Sequence, residues 1–496
     1  MLFNGIKTSC MFRTIKAWLL TLSLFICVGA FAQSHSFRFF HIDSVSFSNH
    51  AFIGNVGNQF FLLNRTSRKS LNLTIYDTVT QTKKDFVYPV VMDIVSVLVN
   101  EHSVSFIGVI NKSPEKLTYS FLEIDGNGKL LRKNEGTMSV IFTPLLSATS
   151  KDKKHVLFYQ YARKNNDSLY IQGSMIGAEG QFEKELMYTF KADAERTTNP
   201  EIFVDNRGNT HIVVYDRFTN YRISTDLSVN TILFPEDEMI SETFTLEKMK
   251  LRTLRVFENE SKRCMQVQGL YANGPDRITR GMYSIDLPFS RTNQLRPRFA
   301  PFSPEMIKAF RKGYPATDVV IRNSLQLRDW FYSENGSTAM LSLTTDARPA
   351  IDVRDANWFR PAFGALGPNV PMVITESRAW NAPKQIFVKM GKDQGIEWHI
   401  IQKLDVFRAA GMNYNNILLM RGEDEKPSML LYQADKEEQP HPTVVSFKDG
   451  KQVSERFPER ELAFSPVQYL HNSQYGALYI NLDTGEAGIV VISANP

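Results

Sequence analysis

A strand–turn–strand unit recurs along this 496-residue chain at intervals of roughly 45–60 residues, and that cadence limits the folds open to it. The unit reads Ile75-Tyr76-Asp77, then Glu123-Ile124-Asp125-Gly126-Asn127-Gly128, then Met175-Ile176-Gly177-Ala178-Glu179-Gly180. It continues as Ile223-Ser224-Thr225-Asp226, Tyr283-Ser284-Ile285-Asp286 and Leu343-Thr344-Thr345-Asp346. The last two copies are Met390-Gly391-Lys392-Asp393-Gln394-Gly395 and Ser446-Phe447-Lys448-Asp449-Gly450. Apolar and polar residues alternate on the approach, as in Leu71, Leu73 and Ile75 against Asn72, Thr74 and Tyr76, the period of a half-buried strand. Asp and Gly at the reversal supply positive φ and side-chain caps for backbone N–H groups.

Further strand-like runs lie between the marks, among them Val104–Val109, His155–Gln160 and Ile417–Met420. A second kind of turn, Asp205-Asn206-Arg207-Gly208-Asn209, leads into His211–Tyr215. Two hairpins per period make four strands per unit. The expected fold is therefore all-β, a β-propeller of seven or eight four-stranded blades. A pair of β-sandwiches would not repeat one hairpin over nearly the whole length, and a β-helix needs much shorter coils.

Two segments fall outside the repeat. Residues 1–32 read as a signal peptide: Arg13 and Lys16, an apolar run from Ala17 to Gly29, then Ala30-Phe31-Ala32 as the cleavage site. The run is shorter than the ~20 residues of a spanning helix. No later stretch is long and apolar enough to cross a bilayer, so the mature chain is expected to have no transmembrane segment and to be exported, to the periplasm or beyond. Residues 33–496 form the propeller domain. The second exception is a helix from Ser303 to Gly313, with Ser303 as N-cap and Pro304 at the first helical position, inside an insertion spanning about 291–315.

Losing the leader removes three cations and no carboxylate, so the formal charge drops from +5 to +2. Such a chain has no general electrostatic pull toward nucleic acid. Cys10 and Cys27 leave with the leader, which makes an intramolecular disulfide impossible for the remaining Cys264.

No catalytic pattern emerges. The nine His residues are dispersed with no HxH or HxxxH pair, no CxxC occurs, and there is no G-x-S-x-G elbow or phosphate loop; neither metal nor cofactor is expected. Ser333–Thr338 matches the Asp-box of sialidase propellers too loosely to count. The region that stands out is 291–380, which holds three of the four Trp residues beyond the leader. Its candidate ligand-binding residues are Arg296, Arg298, Trp330, Arg354, Trp358, Arg360 and Trp380. Flat aromatic faces suit sugar rings, and Arg suits carboxylates or phosphates. The competing reading is that these aromatics pack the inserted helix onto the propeller.

Residues from about 370 to 435 resemble uncharacterised secreted, propeller-like proteins of Gram-negative bacteria. The matching features are Ile386–Met390, a Gly-containing turn, Ile396-Glu397-Trp398, Ile401-Gln402-Lys403, and a strand from Asn416 to Met420. The resemblance implies a fold and no transferable activity. Taken together, the sequence leads to an exported, non-catalytic binding or scaffold propeller that recognises a protein or glycan partner at the cell envelope. A polysaccharide-active enzyme with carboxylates at one mouth, or a structural subunit of an envelope assembly, are the alternatives.

Overall fold

The computed structural model describes residues 35–494 apart from 47–48, 65–69, 113–115, 140–144, 151, 165–166, 193–196, 198, 217–224, 247–248, 260–263, 274–277, 289–296, 313–316, 318–320, 323, 334–335, 344–383, 394, 404–407, 410–411, 414–417, 421–427, 435–439, 449, 460, 466 and 471–473. The described strands form eight antiparallel blades and one two-residue ribbon, Arg408–Ala409 with Met412–Asn413. Blade 1 runs from its inner strand His50–Val56 to its outer strand Thr82–Tyr88. Blade 2 runs from Asp93–Val99 to Leu130–Ser139, and blade 3 from Leu146–Thr149 to Phe182–Lys191. Blade 4 spans Glu201–Val204 to Met239–Leu246. The inner strand of blade 5 comes in two pieces, Met249–Leu251 and Arg255–Asn259, and its outer strand is Arg298–Pro301. Blade 6 spans Leu325–Ser333 to Ile396–Lys403 and blade 7 Leu418–Met420 to Lys451–Arg456.

Blade 8 takes strands from both ends of the described chain. Leu462–Phe464 and Gln468–Tyr469 are innermost, Gln474–Asn481 and Ala487–Ala494 follow, and His35–His41 is the outer strand, paired His35 to Ala494 through His41 to Gly488.

Closure is visible in the core. Eight hydrophobic clusters lie one to each seam between neighbouring blades, from blades 1 and 2 (Phe61, Phe106) round to blades 7 and 8 (Val444, Val490) and back across blades 8 and 1 (Leu478, Leu62). Each sheet is thus buried on both faces. Val213 packs toward blade 5 while its neighbour Val214 packs toward blade 3. This is why the middle strands read as continuous apolar runs rather than alternating ones.

The recurring marks acquire a place in this ring. In blades 1, 2, 3, 6 and 7 they are the turns between third and outer strands. Asp125 Oδ1 accepts the N–H groups of Asn127 and Lys129 at 2.9 and 2.8 Å, and Asp77 Oδ1 does the same for Val79 and Thr80. These bonds hold the Asp77 carboxyl below its ordinary range.

The turn glycine has a second duty, since it is where one blade approaches the one before it. Gly180 has φ +75°, and a Cβ there would lie 2.2 Å from the fully buried ring of Phe121 on blade 2. Gly180→Ala is expected to cost roughly 2–4 kcal/mol, combining left-handed strain with overpacking. Gly485→Ala, at φ +76° with nothing within 4 Å, meets the strain alone and is expected to cost about 1 kcal/mol. Urea midpoints of the two variants check this contrast; equal losses would contradict it.

The inserted helix is present as Pro304–Arg311. Ser303 Oγ accepts the Met306 N–H at 3.2 Å, and Glu305 sits in the first turn, where a carboxylate favours the positive end of the helix dipole. The helix ends earlier than the sequence reading, with Lys312 as C-cap; Gly313 lies outside the described residues.

Candidate binding face at blades 5 and 6

Strand direction divides the ring into two faces. Turns between inner and second strands, and between third and outer strands, lie on the lower face. Connections from second to third strands, and from one blade to the next, lie on the upper face. The predicted region 291–380 is split by this division. Residues 289–296, Arg296 among them, fall in sequence between the third and outer strands of blade 5 and lie outside the described residues. Residues 344–383 join Leu343 to Lys384, which are paired at the upper edge of blade 6. That connection carries Arg354, Trp358, Arg360 and Trp380, also outside the described residues.

Two candidates are placed directly. Trp330 is on the inner strand of blade 6, 3% exposed, with its ring 5.9 Å from Phe257 of blade 5. It shares the seam cluster with Met306, Ile307 and Phe310 of the helix. At this position the aromatic does pack the inserted helix onto the ring. Phe310 reaches outward to the edge of His399 at 5.9 Å on the outer strand of blade 6, and burial lowers the pKa of that imidazole.

Arg298 is exposed, and its Nη1 donates to the Asp393 carbonyl at 3.3 Å, in the lower turn of blade 6. The same stitch joins other pairs of blades. Tyr88 Oη donates to Gly128 O at 2.6 Å, Asn134 Nδ2 to Glu179 O at 2.8 Å, and Lys184 Nζ to Leu233 O at 2.9 Å. In each case an outer-strand side chain bonds a backbone carbonyl in the next blade's lower turn. Burial, and then the charge of Asp125, push the Tyr88 phenol up to about 12, so it stays a neutral donor. Arg298 therefore has a structural duty that its spacing in the sequence did not signal.

Among the described residues, no group of three His, Cys, Asp or Glu could hold a metal ion, and no helix is long and apolar enough to cross a membrane. Cys264 is buried at the start of the second strand of blade 5 and is in no disulfide.

Sequence reasoning missed a polar network in blade 4, although it found the turn that builds it. Asp205, 1% exposed, accepts from the backbone of Arg207 and Asn209 through Oδ1, and from Asn209 Nδ2 and His211 Nε2 through Oδ2. The signal was there in the six-residue spacing of Asp205 and His211 across a Gly-containing turn.

The geometry defines an eight-bladed β-propeller. No protein-family model matches the sequence, and no curated protein matches it. Among solved structures, the chain is similar to the WD40 domain of SCAP from fission yeast, at 9% identity over 93% of this chain and 99% of that one, TM-score 0.39. It is similar to the β-propeller domain of the Trilobed protease from Pyrococcus furiosus, at 8% identity over 80% of this chain and 95% of that one, TM-score 0.37. Prolyl oligopeptidase B from Galerina marginata matches at 10% identity over 91% of this chain and 56% of that one, TM-score 0.37. The blade count rests on the strand pairing and the eight seam clusters rather than on these likenesses.

Proposed function

We propose that the protein is exported and serves as a binding propeller, recognising a glycan or protein partner at the cell envelope without turning it over. The observation that carries this reading is the connection 344–383. It follows Leu343 at the upper edge of blade 6, whose seam with blade 5 is braced by the helix Pro304–Arg311, and its sequence holds Trp358, Trp380, Arg354 and Arg360. Long connections rich in aromatics and Arg, anchored on a rigid scaffold, are the usual place for recognition. The leader-like residues 1–32 support export.

A glycan array probed with the wild-type protein and with Trp358→Ala/Trp380→Ala tests the reading. Specific glycan binding, reduced at least tenfold in the variant, is the expected result. Binding that survives unchanged in the variant removes the connection from the site. Absence of any glycan binding leaves a protein partner, to be sought by pull-down from the envelope.

A further inference from the structure

The strand His35–His41 closes the ring, and it begins almost at the expected start of the exported chain. Its first rung pairs His35 with Ala494, so the two ends of the described chain meet on the lower face of blade 8. His35 is already 2% exposed, and Phe37 and Phe39 pack into the seam with blade 7. Only Gln33 and Ser34 separate this rung in sequence from Ala30-Phe31-Ala32, the cleavage motif of the leader. Chain ends are where local fraying and proteolysis concentrate unless they are tied down. Trimming here is damaging, because each residue lost beyond Ser34 removes part of the outer strand of blade 8.

We infer that Gln33, once the leader is removed, is converted to an N-terminal pyroglutamyl lactam that shields the closing strand from aminopeptidases. The inference rests on the export reading proposed above, through its cleavage site, and not on what the protein binds. The chemistry is complete within one residue. The α-amine freed by cleavage attacks Cδ of the side-chain amide, forming an N–Cδ bond that closes a five-membered ring. The original Cδ–Nε2 bond breaks, and its nitrogen leaves as ammonia with a proton from the attacking amine. No water, oxidant or cofactor is consumed. An α-amino group titrates near 7.7–8.0, so roughly a tenth to a fifth of it is neutral and nucleophilic at pH 7. Amine and amide belong to the same residue, so the step has the rate advantage of enforced proximity. A cut one residue later would leave Ser34 first, which has no side-chain carbonyl to attack. The product matters to the strand because aminopeptidases bind the free α-ammonium of their substrates. The lactam replaces that cation with a neutral amide N–H, so stepwise trimming toward His35 has nothing to start from.

The test uses the full chain, expressed with its own leader in an exporting host and purified from the exported fraction. Free amines are labelled before digestion, and the N-terminal peptide is then weighed. The expected peptide starts at position 33, is lighter than its encoded mass by one ammonia, and carries no label at its N-terminus. A peptide that starts at position 33 with a labelled amine overturns the lactam and leaves the export reading standing. A retained leader, or a cut elsewhere, removes both. Protection is read separately, by incubating wild type and Gln33→Ala with a broad-specificity aminopeptidase. Gln33→Ala removes no rung of the ladder, yet it is expected to shorten from its N-terminus and to lose thermal stability during the incubation. The wild type is expected to keep its mass and its melting temperature. Equal survival of the two proteins, or equal trimming, overturns the protective role.

Discussion

A chain lacking His35–His41 will not hold a closed ring. It will lose cooperative thermal unfolding and its near-ultraviolet circular dichroism, and will elute from a sizing column as aggregates. The strand supplies the outer edge of blade 8 through a seven-residue antiparallel ladder against residues 488–494. It also carries three aromatic anchors. Phe37 stacks on Phe457 at 4.1 Å, Phe39 meets the edge of Tyr479 at 5.1 Å, and Phe40 meets the edge of Phe60 at 5.3 Å on blade 1. Truncating one buried Phe to Ala costs about 3–5 kcal/mol. Phe40 is buried and Phe37 and Phe39 partly so, and losing all three together with a strand ladder is comparable to the 5–15 kcal/mol that holds a typical domain folded. The strand left behind makes matters worse, because Ile489, Val490, Val491 and Ile492 are all buried and would line a newly exposed edge. Phe40→Ala alone should behave as a graded version, lowering the urea midpoint while leaving the unfolding cooperative. A truncated chain that stays monomeric and melts within a few degrees of the full one would show that the first strand is dispensable.

That strand also explains how far the fold could be read from the sequence. Asp125-Gly126-Asn127-Gly128 was legible because the same local chemistry, an Asp cap and a positive-φ Gly, is demanded wherever a third strand turns tightly into an outer one. Eight marks were found and there are eight blades, yet the correspondence is partly accidental. Blade 8 has no such turn, since its outer strand arrives from the other end of the chain; the turn between its second and third strands, Asn481 to Gly485, went unmarked. Blade 6 carries two marks, because the one that begins at Leu343 starts on the last residue of its second strand while Met390–Gly395 forms its lower turn. In blade 4 the lower turn runs from Leu233 to Glu238 and places Asp237, not a glycine, at φ +64°, so it carries no Gly signature. The mark assigned to that blade, Ile223–Asp226, instead reaches the start of its third strand, and Tyr283–Asp286 lies inside the third strand of blade 5.

The site was less legible for a different reason. Trp330 and Arg298 attracted attention by residue type, but whether an inner-strand Trp faces a seam, or an outer-strand Arg finds a carbonyl, is decided by distant neighbours such as Phe257 and Asp393, 73 and 95 residues away. No local pattern encodes that distance.

The Asp205 network should give the largest loss from a single polar side chain. Its carboxylate is almost wholly buried, and so is its partner His211. Because the carboxylate oxygen can only accept, His211 Nε2 must donate across the 3.2 Å contact, while Nδ1 on the other side of the ring bonds the Thr231 hydroxyl at 3.0 Å. Asn209 extends the network by accepting the Phe234 N–H at 2.9 Å, so the two lower turns of blade 4 are fastened together. Burial by itself would raise the Asp205 pKa. The hydrogen bond and charge of His211, joined by the N–H groups of Asn209, outweigh it and hold the carboxyl below its usual range. A carboxyl with a depressed folded pKa contributes fully above its unfolded value and loses that contribution as pH falls through the folded one. Asp205→Ala strands two backbone donors, the Asn209 amide and the His211 ring, and is expected to cost about 3–5 kcal/mol at pH 7. Asp205→Asn keeps one acceptor but turns an N–H toward two existing donors, so it should lose nearly as much. The discriminating measurement is a pair of urea titrations at pH 7 and near pH 3. Wild type should fall toward Asp205→Asn in acid, narrowing the gap between them, because only the wild type has a carboxylate to protonate at position 205. A gap that stays constant with pH would mean that the network contributes through shape rather than charge, and a loss below about 1 kcal/mol in Asp205→Ala would remove it from the stability of the ring altogether.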